Sequence, residues 1–587
     1  MNYSDKTFSD KTILFRTVCG KQFGTGHLKR CITLATALHS RGLRTLIFVN
    51  DEPLSRQIVE SFEHVHFLTE NAVFPQTSEL SFEDISLFII DLPRFKAGKG
   101  NIDAAEVIKT ATSLDESGVP VVSLGHVNHL SISLRAVIDL YPGKTIHAAN
   151  YINGPEYVIL KPEFKHAQPR VSKGEGVLIT LGGSDPFNIT DSAIQAFIQS
   201  GLKDPITIVL GAGYSEDKLR QIEALLEGRS NQFRVLKSVS NMNELIVNSR
   251  WGIVGFGTTA FEFMSQGVPC MAFSHYKWQE PSAVVFDEIQ CCNYVGCAED
   301  GLNLDALSQA IAAFGQDQAR LDEIAATSQK VVDGKGAERI SKILENFAMQ
   351  KDNTSLDTLF ILAHPGDEVF GCGGTILKKI EEGQKVGVVF LGEGISSRFE
   401  EHVNRKSTND MGKVLKSSVQ EVMDKIGVKI WYNYQFTDNR FDAHELLDII
   451  KLVEKLIERH EPAEVYTHMP SDLNIDHKIT FEAVQTACRP SANLPVRSLY
   501  GIEVPSSTDW NLGTTMPSPN WFNDITHQLD KKIELAKQYI TEIKEDPHPR
   551  SIEGIKQRSI QWGRLCGLQA AEAFVLYRHI QKSPESE

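Results

Sequence analysis

Short apolar runs alternate with longer amphipathic stretches along the whole chain. The clearest runs are rich in β-branched residues and are bounded by turn residues, at positions 45–49, 87–90, 206–210 and 386–391. Continuous runs of this kind are typical of parallel strands that are covered by helices on both faces. The pattern therefore predicts an α/β protein built from layered helices and parallel sheets.

Two polar stretches interrupt this alternation, at residues 165–175 and 346–357, and a fresh strand-like run follows each of them. A length of 587 residues, at about 150 residues per domain, also requires several structural units. We therefore expect a first lobe at 1–168, a second lobe at 174–346, a linker at 347–357 and a separate domain at 358–587.

The charge balance, the lack of a long apolar run and the cysteine spacing exclude several classes of protein. The 75 acidic residues outnumber the 60 Lys and Arg residues, so the net charge is −15, which argues against a nucleic-acid partner. No apolar run approaches the roughly 18 residues of a membrane helix, and no signal peptide is visible. The nine cysteines are scattered without a CxxC pair, which indicates reduced thiols. We expect a cytoplasmic protein without a membrane partner.

Three glycine-rich turns in the front half each follow a predicted strand and begin a helix. Free N–H groups at a helix start favour an anion, and a carboxylate one turn later can accept hydrogen bonds from ribose hydroxyls. Ordinary β-to-α turns, with a surface histidine and a solvated Glu262, are the alternative. The candidate substrate- and nucleotide-binding residues in these turns are Gly24, Gly26, Arg30, Gly182, Ser184, Gly257, Thr258, Thr259 and Glu262.

Five motifs of residues 11–345 occur together and in a familiar order: FGTGHLKRCITLA, GPEYVILKPEF, LGGSDPFNIT, FGTTAFEFMSQGVPC and VDGKGAERI. They resemble the UDP-sugar hydrolases of pseudaminic acid biosynthesis (PseG/SpsG-type), whose fold is GT-B. The resemblance implies that UDP binds mainly to the second lobe and that the sugar lies between the lobes. It also implies that His27 faces the anomeric carbon and positions or deprotonates the attacking water, with no cofactor.

Three segments depart from that family's pattern. Asp91-Leu92-Pro93-Arg94 replaces Asp-Ser-Tyr, and Ser123-Leu124-Gly125-His126 replaces an Asp-Asp pair. Trp278-Gln279 replaces Asn-Gln, so the resemblance implies Gln279 alone of that pair as a substrate-binding residue. These departures fall on the side of the expected site that holds the sugar. The resemblance therefore implies an unusual sugar, and it leaves glycosyl transfer open beside hydrolysis.

The back half places potential metal ligands after two predicted strands. His364 and Asp367 follow the strand at 358–363, and a second cluster runs from His468 to His477. Two histidine nitrogens and one carboxylate, with water in the open position, are a catalytic zinc arrangement. Each histidine taken alone is more often structural or solvated.

These motifs, with the later segments ACRP, VPSSTDW, EDPHPRS and AAEAF, resemble the PIG-L/LmbE-type zinc N-deacetylases over nearly all of 358–580. The resemblance implies a Rossmann-like domain that binds Zn²⁺ through His364, Asp367 and His477. The family's general base is the Asp of His-Pro-Asp-Asp-Glu, but this chain has Gly366 there. Three explanations remain open: Asp438 or Asp472 replaces the base, the substrate assists, or the domain only binds sugar.

Together these observations predict a bifunctional enzyme that acts on a UDP-linked acetamido sugar. The front half would release UDP by attack of water on the anomeric carbon, and the back half would remove an N-acetyl group. The family resemblance implies a nonulosonic (sialic-acid-like) sugar for surface glycans as the destination. The alternative is a GT-B glycosyltransferase with a C-terminal domain that is inactive or only binds sugar.

Overall fold

The computed structural model describes residues 11–20, 25–59, 65–68, 84–92, 104–125, 134–139, 146–165, 174–183, 185, 187–211, 213–229, 232–237, 239, 241–349, 355–394, 415, 418–491, 494–512 and 517–581. Two predicted binding residues, Gly24 and Ser184, lie outside the described residues, and so do Pro93, Arg94 and His126. None of the described helices has both the length and the apolar character that a membrane span requires.

The described residues form two compact units. The first contains the described residues up to 349, except for the segment 146–152. The second contains that segment and the described residues from 355 onward. The separation near residue 350 falls in the predicted linker, but the sequence analysis placed 146–152 in the first lobe.

The first unit begins with a parallel sheet whose strands follow the order β3-β2-β1-β4-β5-β6. The central strands β1 and β4 are buried along their whole length, which explains the apolar runs at 13–15 and 87–90 in their centres. The elements are β1 (Thr12–Thr17), α1 (Gly26–Ser40), β2 (Arg44–Asn50), α2 (Pro53–Val59), β3 (Val65–Leu68), β4 (Ile85–Asp91), α3 (Ala104–Glu116), β5 (Val121–Leu124) and β6 (Ala136–Ile138). Two short strands follow, β7 (Ile146–Ala148) and β8 (Tyr151–Asn153).

A second parallel sheet of the first unit has the order β11-β10-β9-β12-β13-β14. Its two faces are covered by helices that pack on buried side chains such as Trp251 and Phe197. The elements are β9 (Val177–Thr180), α4 (Ile189–Ser200), β10 (Ile206–Leu210), α5 (Glu216–Leu225), β11 (Phe233–Lys237), α6 (Met242–Val247), β12 (Trp251–Gly255), α7 (Thr258–Ser265), β13 (Cys270–Ser274), α8 (Glu280–Glu288), β14 (Asn293–Cys297), α9 (Leu304–Gln316), α10 (Gln318–Val331) and α11 (Gly336–Ala348).

Helix α11 ends the second lobe but packs against α1 of the first. Gly336 starts α11 so close to the backbone that a Cβ there would lie 2.1 Å from the carbonyl oxygen of Val158. At the far end, Arg41 Nε donates to Glu345 Oε2 at 2.6 Å. The glycines of the VDGKGAERI motif therefore have a packing role, because only glycine permits this approach.

The second unit contains a seven-stranded mixed sheet with the order β17-β16-β15-β18-β19-β21-β20, in which β21 runs antiparallel to both neighbours. The other neighbouring pairs are parallel, so the predicted α/β class is confirmed in both units. The elements are β15 (Thr358–Leu362), α12 (Asp367–Glu381), β16 (Val386–Gly392), α13 (418–426), β17 (Ile430–Phe436), α14 (Leu446–His460), β18 (Glu464–Thr467), α15 (Ile475–Ala487), β19 (Ser498–Ile502), β20 (Trp521–Asp524), α16 (Leu529–Ala536), α17 (Ile552–Cys566) and β21 (Ala571–His579).

Helix α12 is interrupted at Cys372, whose φ of −147° is not helical. The N–H groups freed by the interruption find a buried carboxylate, because Glu572 accepts from Gly374 at 2.8 Å and from Thr375 at 2.7 Å. Lys532 donates to the same carboxylate at 2.7 Å and balances its charge. Glu572 belongs to the AAEAF motif, which therefore holds the helix that begins at the metal-ligand candidates.

The segment 146–152 packs on the edge strand β17 of the second unit. Ala149 N–H donates to the carbonyl oxygen of Trp431 at 2.8 Å. The Asn150 side chain accepts from Asn433 N–H at 2.8 Å and donates to the carbonyl oxygen of the same residue at 3.2 Å. These bonds supply partners to backbone groups that an edge strand otherwise exposes.

Candidate active sites

The strand order reverses at one pair of neighbours in each of the three sheets. The pairs are β1 and β4, β9 and β12, and β15 and β18. In open α/β sheets, successive connections leave such a pair in opposite directions and open a crevice at the carboxyl ends of the strands. Every described site residue predicted from the sequence, except Asp438, lies after one of these strands or the strands beside them. Asp438 follows the edge strand β17.

His27, near the start of α1, is paired with a carboxylate at the end of β4. Its Nδ1 atom lies 2.7 Å from Asp91 Oδ1. Arg30 donates to both oxygens of Asp91, from Nε and from Nη2, at 2.6 Å each. Asp91 is fully buried, whereas the His27 side chain is 17% exposed. The crevice between β1 and β4 therefore holds a histidine that faces solvent on one side and a buried ion pair on the other.

The charged groups around His27 affect both its protonation state and the ring nitrogen that carries its proton. Burial would raise the pKa of Asp91, but the charge of Arg30 and the hydrogen bonds from Arg30 and His27 outweigh this and hold its pKa below the ordinary value. Burial, together with the charge of Arg30, lowers the pKa of His27. Arg30 Nη2 also lies 2.7 Å from Nδ1 of His27, but an ionised carboxylate at the same distance favours the tautomer with the proton on that nitrogen. His27 is then neutral, with its lone pair on Nε2.

Two glycine-rich turns of the second lobe meet beside the β9–β12 crevice. A Cβ at Gly182, where φ is +91°, would lie 3.9 Å from Thr259 Oγ1, at the start of α7. A Cβ at Gly183 would lie 3.3 Å from Thr25 Oγ1 of the first lobe. Gly257 is the N-cap of α7, and its neighbour Thr258 is exposed. The predicted diphosphate turns thus adjoin one another and the start of α1, where Gly26 is the first helical residue.

Glu262 lies one turn into α7, partly buried and among cationic side chains. Burial raises the pKa of its carboxyl group to about 7, while the positive charges of Lys29 and Lys161 act in the opposite direction. Lys29 belongs to the first lobe and its pKa is lowered by burial and by Lys161. The carboxyl group is therefore poised to change charge near neutral pH.

Gln279 uses its side chain to hold the backbone around it. Its Oε1 accepts from the N–H groups of His275 at 2.9 Å and Tyr276 at 3.1 Å, and its Nε2 donates to the carbonyl oxygen of Phe256 at 3.3 Å. The side chain is 6% exposed. A contact between Gln279 and the sugar stays a prediction, and these bonds show that it joins the turns after β12 and β13.

The second unit brings together the three ligands predicted for a metal. His364, Asp367 and His477 are buried, and one ligand atom of each lies within 4.8 Å of the others. His477 Nε2 lies 3.4 Å from Asp367 Oδ2, and His364 Nδ1 lies 3.8 Å from the same oxygen. Two imidazoles and one carboxylate at these separations fit a divalent cation such as zinc with an open position for water.

A second set of carboxylates holds the ligand histidines. His364 Nε2 lies 2.9 Å from Asp476 Oδ2 and 3.1 Å from Asp438 Oδ1. Burial opposes protonation of His364, but hydrogen bonds to these two carboxylates raise its pKa to about 10. His477 Nδ1 lies 3.1 Å from Asp472 Oδ2. Such carboxylate–histidine pairs orient imidazole ligands.

The two predicted replacement bases therefore lie at the site, each beside a ligand histidine. Asp472 accepts from Thr508 Oγ1 at 2.8 Å and Ser507 Oγ at 3.1 Å on one oxygen, and from Asn474 N–H at 2.9 Å on the other. Its carboxylate is thus held rigidly. A base role for Asp438 or Asp472 stays a prediction.

Three residues that the structure places in these sites had no role predicted from the sequence: Asp91, Asp476 and His468. Asp91 was named only in a segment that departs from the family pattern, and Asp476 lies within the cluster from His468 to His477 without having been named. His468 stacks on His477 with ring centroids 3.8 Å apart, and its Nε2 accepts from Ala363 N–H at 2.8 Å. A polar residue at the end of a buried strand was the available signal for Asp91.

Comparison with known proteins agrees with these geometries. Residues 359–488 match the PIG-L family model, described as GlcNAc-PI de-N-acetylase. The C-terminal part of the chain carries a PIG-L domain. The uncharacterized deacetylase YaiS of Escherichia coli is 26% identical over 180 residues, which are 29% of this chain and 84% of that protein.

Two further relatives match longer stretches of the chain. The spore coat polysaccharide biosynthesis protein SpsG of Bacillus subtilis is 26% identical over 350 residues, 57% of this chain and 97% of that protein. The uncharacterized protein MJ1062 of Methanocaldococcus jannaschii is 25% identical over 271 residues, 44% of this chain, so the chain matches 54% of that relative's length. The predicted resemblances of both halves are confirmed. The strand orders confirm the predicted α/β class, with two parallel sheets in the first unit and a largely parallel sheet in the second.

Proposed function

We propose that the chain is a bifunctional hydrolase of amino-sugar metabolism. The front half releases UDP from a UDP-linked acetamido sugar, and the back half removes the N-acetyl group of an amino sugar. The observation that carries the proposal is that one chain joins a neutral, carboxylate-held histidine in a GT-B unit to a buried His-Asp-His set in a PIG-L domain.

In the front half, Nε2 of His27 accepts a proton from water as the water oxygen attacks the anomeric carbon. The bond between that carbon and the β-phosphate oxygen breaks, and UDP leaves with the electron pair. Asp91 stabilises the imidazolium that forms, because its buried carboxylate faces Nδ1. The N–H groups at the start of α7 face the diphosphate, and Glu262 accepts from the ribose hydroxyls.

In the back half, His364, Asp367 and His477 would hold a divalent cation, for which we propose Zn²⁺. A cation bound there polarises the amide carbonyl and lowers the pKa of water to about 7. Asp476 and Asp472 keep the two imidazoles in place through His364 Nε2 and His477 Nδ1. No cofactor is proposed for the front half.

The proposed substrate indicates the compartment and the pathway in which the protein works. We propose that the protein works in the cytoplasm, where UDP-linked sugars are its partners, and that the product is a precursor of a nonulosonic sugar for surface glycans. None of the nine cysteines forms a disulfide, and eight of them are buried, which supports a reducing compartment.

Mass spectrometry on a panel of UDP-linked acetamido sugars, with and without a chelator, tests both activities. We expect free UDP in all samples and loss of acetyl only without the chelator. His27→Ala should abolish UDP release while it leaves UDP affinity nearly unchanged, with the exposed His39→Ala as its control. His477→Ala should abolish only the loss of acetyl.

The other outcomes identify the rival functions. UDP release with every acetyl group retained would reduce the back half to a sugar-binding domain. UDP release that requires an added acceptor would identify a glycosyltransferase.

A further inference from the structure

Gly366 occupies the position at which the deacetylase family has its general base. Other side chains border the space that a side chain of residue 366 would fill. Its φ of +104° lies in the region that favours glycine. A Cβ built on Gly366 would lie 3.0 Å from Cε2 of Phe370 and 3.5 Å from Cγ of Glu542. The side chain of Glu542, 176 positions later in the chain, therefore flanks the space into which residue 366 would project.

Two hydrogen bonds fix the turn that carries Glu542 onto the metal-ligand motif. The hydroxyl of Tyr539, which is fully buried, donates to Glu368 Oε1. The other oxygen of Glu368 accepts from Gly366 N–H at 2.8 Å. Glu542 N–H then donates to the carbonyl oxygen of Tyr539 at 2.9 Å, which closes the turn. The carboxylate of Glu368 therefore connects the backbone of Gly366 to the turn that carries Glu542.

The carboxylate of Glu542 is buried and is oriented by an arginine. The residue is 3% exposed, and its Oε2 accepts from Arg550 Nη1 at 3.3 Å. Arg550 is itself fixed, because its Nε donates to the carbonyl oxygen of Pro505 at 3.0 Å. A buried carboxylate in a low-dielectric site is retained only where partners such as these hold it.

The other carboxylates of the site are arranged differently. Asp367 is a ligand candidate, and Asp476, Asp438 and Asp472 lie within 3.1 Å of a ligand histidine nitrogen. Each of these groups therefore faces the proposed ligands. Glu542 instead places its Cγ 3.5 Å from the point to which a Cβ of residue 366 would extend, so its side chain lies beside the position of the family's base.

We propose that Glu542 is the carboxylate that takes the proton of the attacking water in the back half, which rests on the proposed deacetylation. The water oxygen bonds to the carbonyl carbon of the acetamido group while its proton passes to Glu542. Glu542 then returns that proton to the amine nitrogen as the C–N bond breaks. The products are the amino sugar and acetic acid, which ionises to acetate and gives its proton to the amine or to solvent, and no further reactant is needed.

The test compares Glu542→Gln and Glu542→Ala with the full-length, zinc-loaded protein. Loss of a general base lowers kcat by about 10²–10⁴-fold, and we expect this fall with KM within about twofold of the native value. Zinc content, measured by mass spectrometry, should be unchanged. Glu545→Gln, an exposed glutamate three positions later, is the matched control. Added formate should restore part of kcat to Glu542→Ala.

A binding measurement separates this proposal from the proposed function. Acetohydroxamic acid loses a proton when it binds a metal ion, and a neighbouring carboxylate can accept that proton. We expect calorimetry to show at least about tenfold weaker binding to zinc-loaded Glu542→Gln. Weaker binding in that variant, with no acetyl loss from the native protein, would support the carboxylate's position and reject deacetylation.

Native deacetylation together with full kcat in Glu542→Gln would overturn the assignment of Glu542 and leave the deacetylase in place. If Glu542→Gln does not fold, Glu542→Ala decides the question. If formate does not restore kcat to the folded, zinc-loaded Glu542→Ala protein, the role of Glu542 as the base is likewise rejected.

Discussion

Nδ1 of His27 and Oδ1 of Asp91 lie 2.7 Å apart although 64 positions separate the two residues. The first follows β1 and the second ends β4, which are neighbours in the sheet although β2 and β3 intervene in the chain. The contact therefore depends on the point at which the strand order reverses. The same relationship recurs in the second unit, where His364 follows β15 and His477 follows β18.

Asp91→Asn should lower the rate of UDP release by about 10²–10⁴-fold with little change in KM. The amide of asparagine can donate to Nδ1, which moves the imidazole proton to Nε2 and removes the base. Steady-state assays of free UDP measure the change. Asp51→Asn, which alters an exposed aspartate paired with Arg56, is the control. An unaltered rate would show that His27 does not need its Nδ1 proton.

UDP should bind more weakly as the pH falls through 7. Burial raises the pKa of Glu262 to about 7, so the ionised form that accepts from ribose hydroxyls decreases about tenfold between pH 8 and pH 6. Calorimetric titrations at pH 6, 7 and 8 should show a matching loss of affinity. Glu262→Gln should lose the part of this pH dependence that does not come from UDP itself. Identical profiles for both proteins would place Glu262 away from the nucleotide.

The same carboxyl group should affect folding stability with the opposite sign. The folded protein binds the proton of Glu262 more tightly than the unfolded chain, whose carboxyl group titrates near 4.5. The contribution of Glu262 to stability is therefore lost as the pH rises from about 4.5 to about 7. Calorimetry should show that Glu262→Gln raises Tm at pH 8 relative to the native protein, with a smaller difference at pH 5.

Asp476→Asn should weaken zinc binding by about 10–100-fold. Asp476 holds His364 through Nε2 at 2.9 Å and is itself held by the N–H groups of Asn439 at 2.6 Å and Phe441 at 3.0 Å. Competition with a fluorescent chelator measures the affinity, and the exposed Asp442→Asn is the matched control. Equal affinities in the two variants would mean that Asp476 does not orient the ligand.

Gly366→Asp should destabilise the second unit and should not accelerate deacetylation. A non-glycine residue at φ +104° is strained by about 1–3 kcal/mol, and its Cβ would press on Phe370 at 3.0 Å. Urea unfolding measures the loss, and Gly366→Ala should show a similar one because it shares the backbone strain. A stable and faster Gly366→Asp protein would instead show that the native site lacks only its base.

The sequence was sufficient for the parts of the fold that depend on local pattern. The buried β-branched runs at 87–90 and 386–391 became central strands, β4 and β16, because continuous apolar runs are stable only when both faces are covered. The predicted metal ligands came together because carboxyl ends of neighbouring parallel strands meet at one edge. The role of segment 146–152 was missed, since no local feature shows which edge strand it joins.

What the sequence by itself determined is the alternation of helices and strands, the glycine turns and the set of ligand-type side chains at strand ends. These features depend on hydrophobic periodicity and on backbone geometry, which act within a few residues. Only the tertiary structure decided that Asp91 holds His27 and that Glu542 flanks Gly366. Such contacts depend on strand order and on turns that distant hydrogen bonds fix, so the energies that select them arise only once the whole chain has packed.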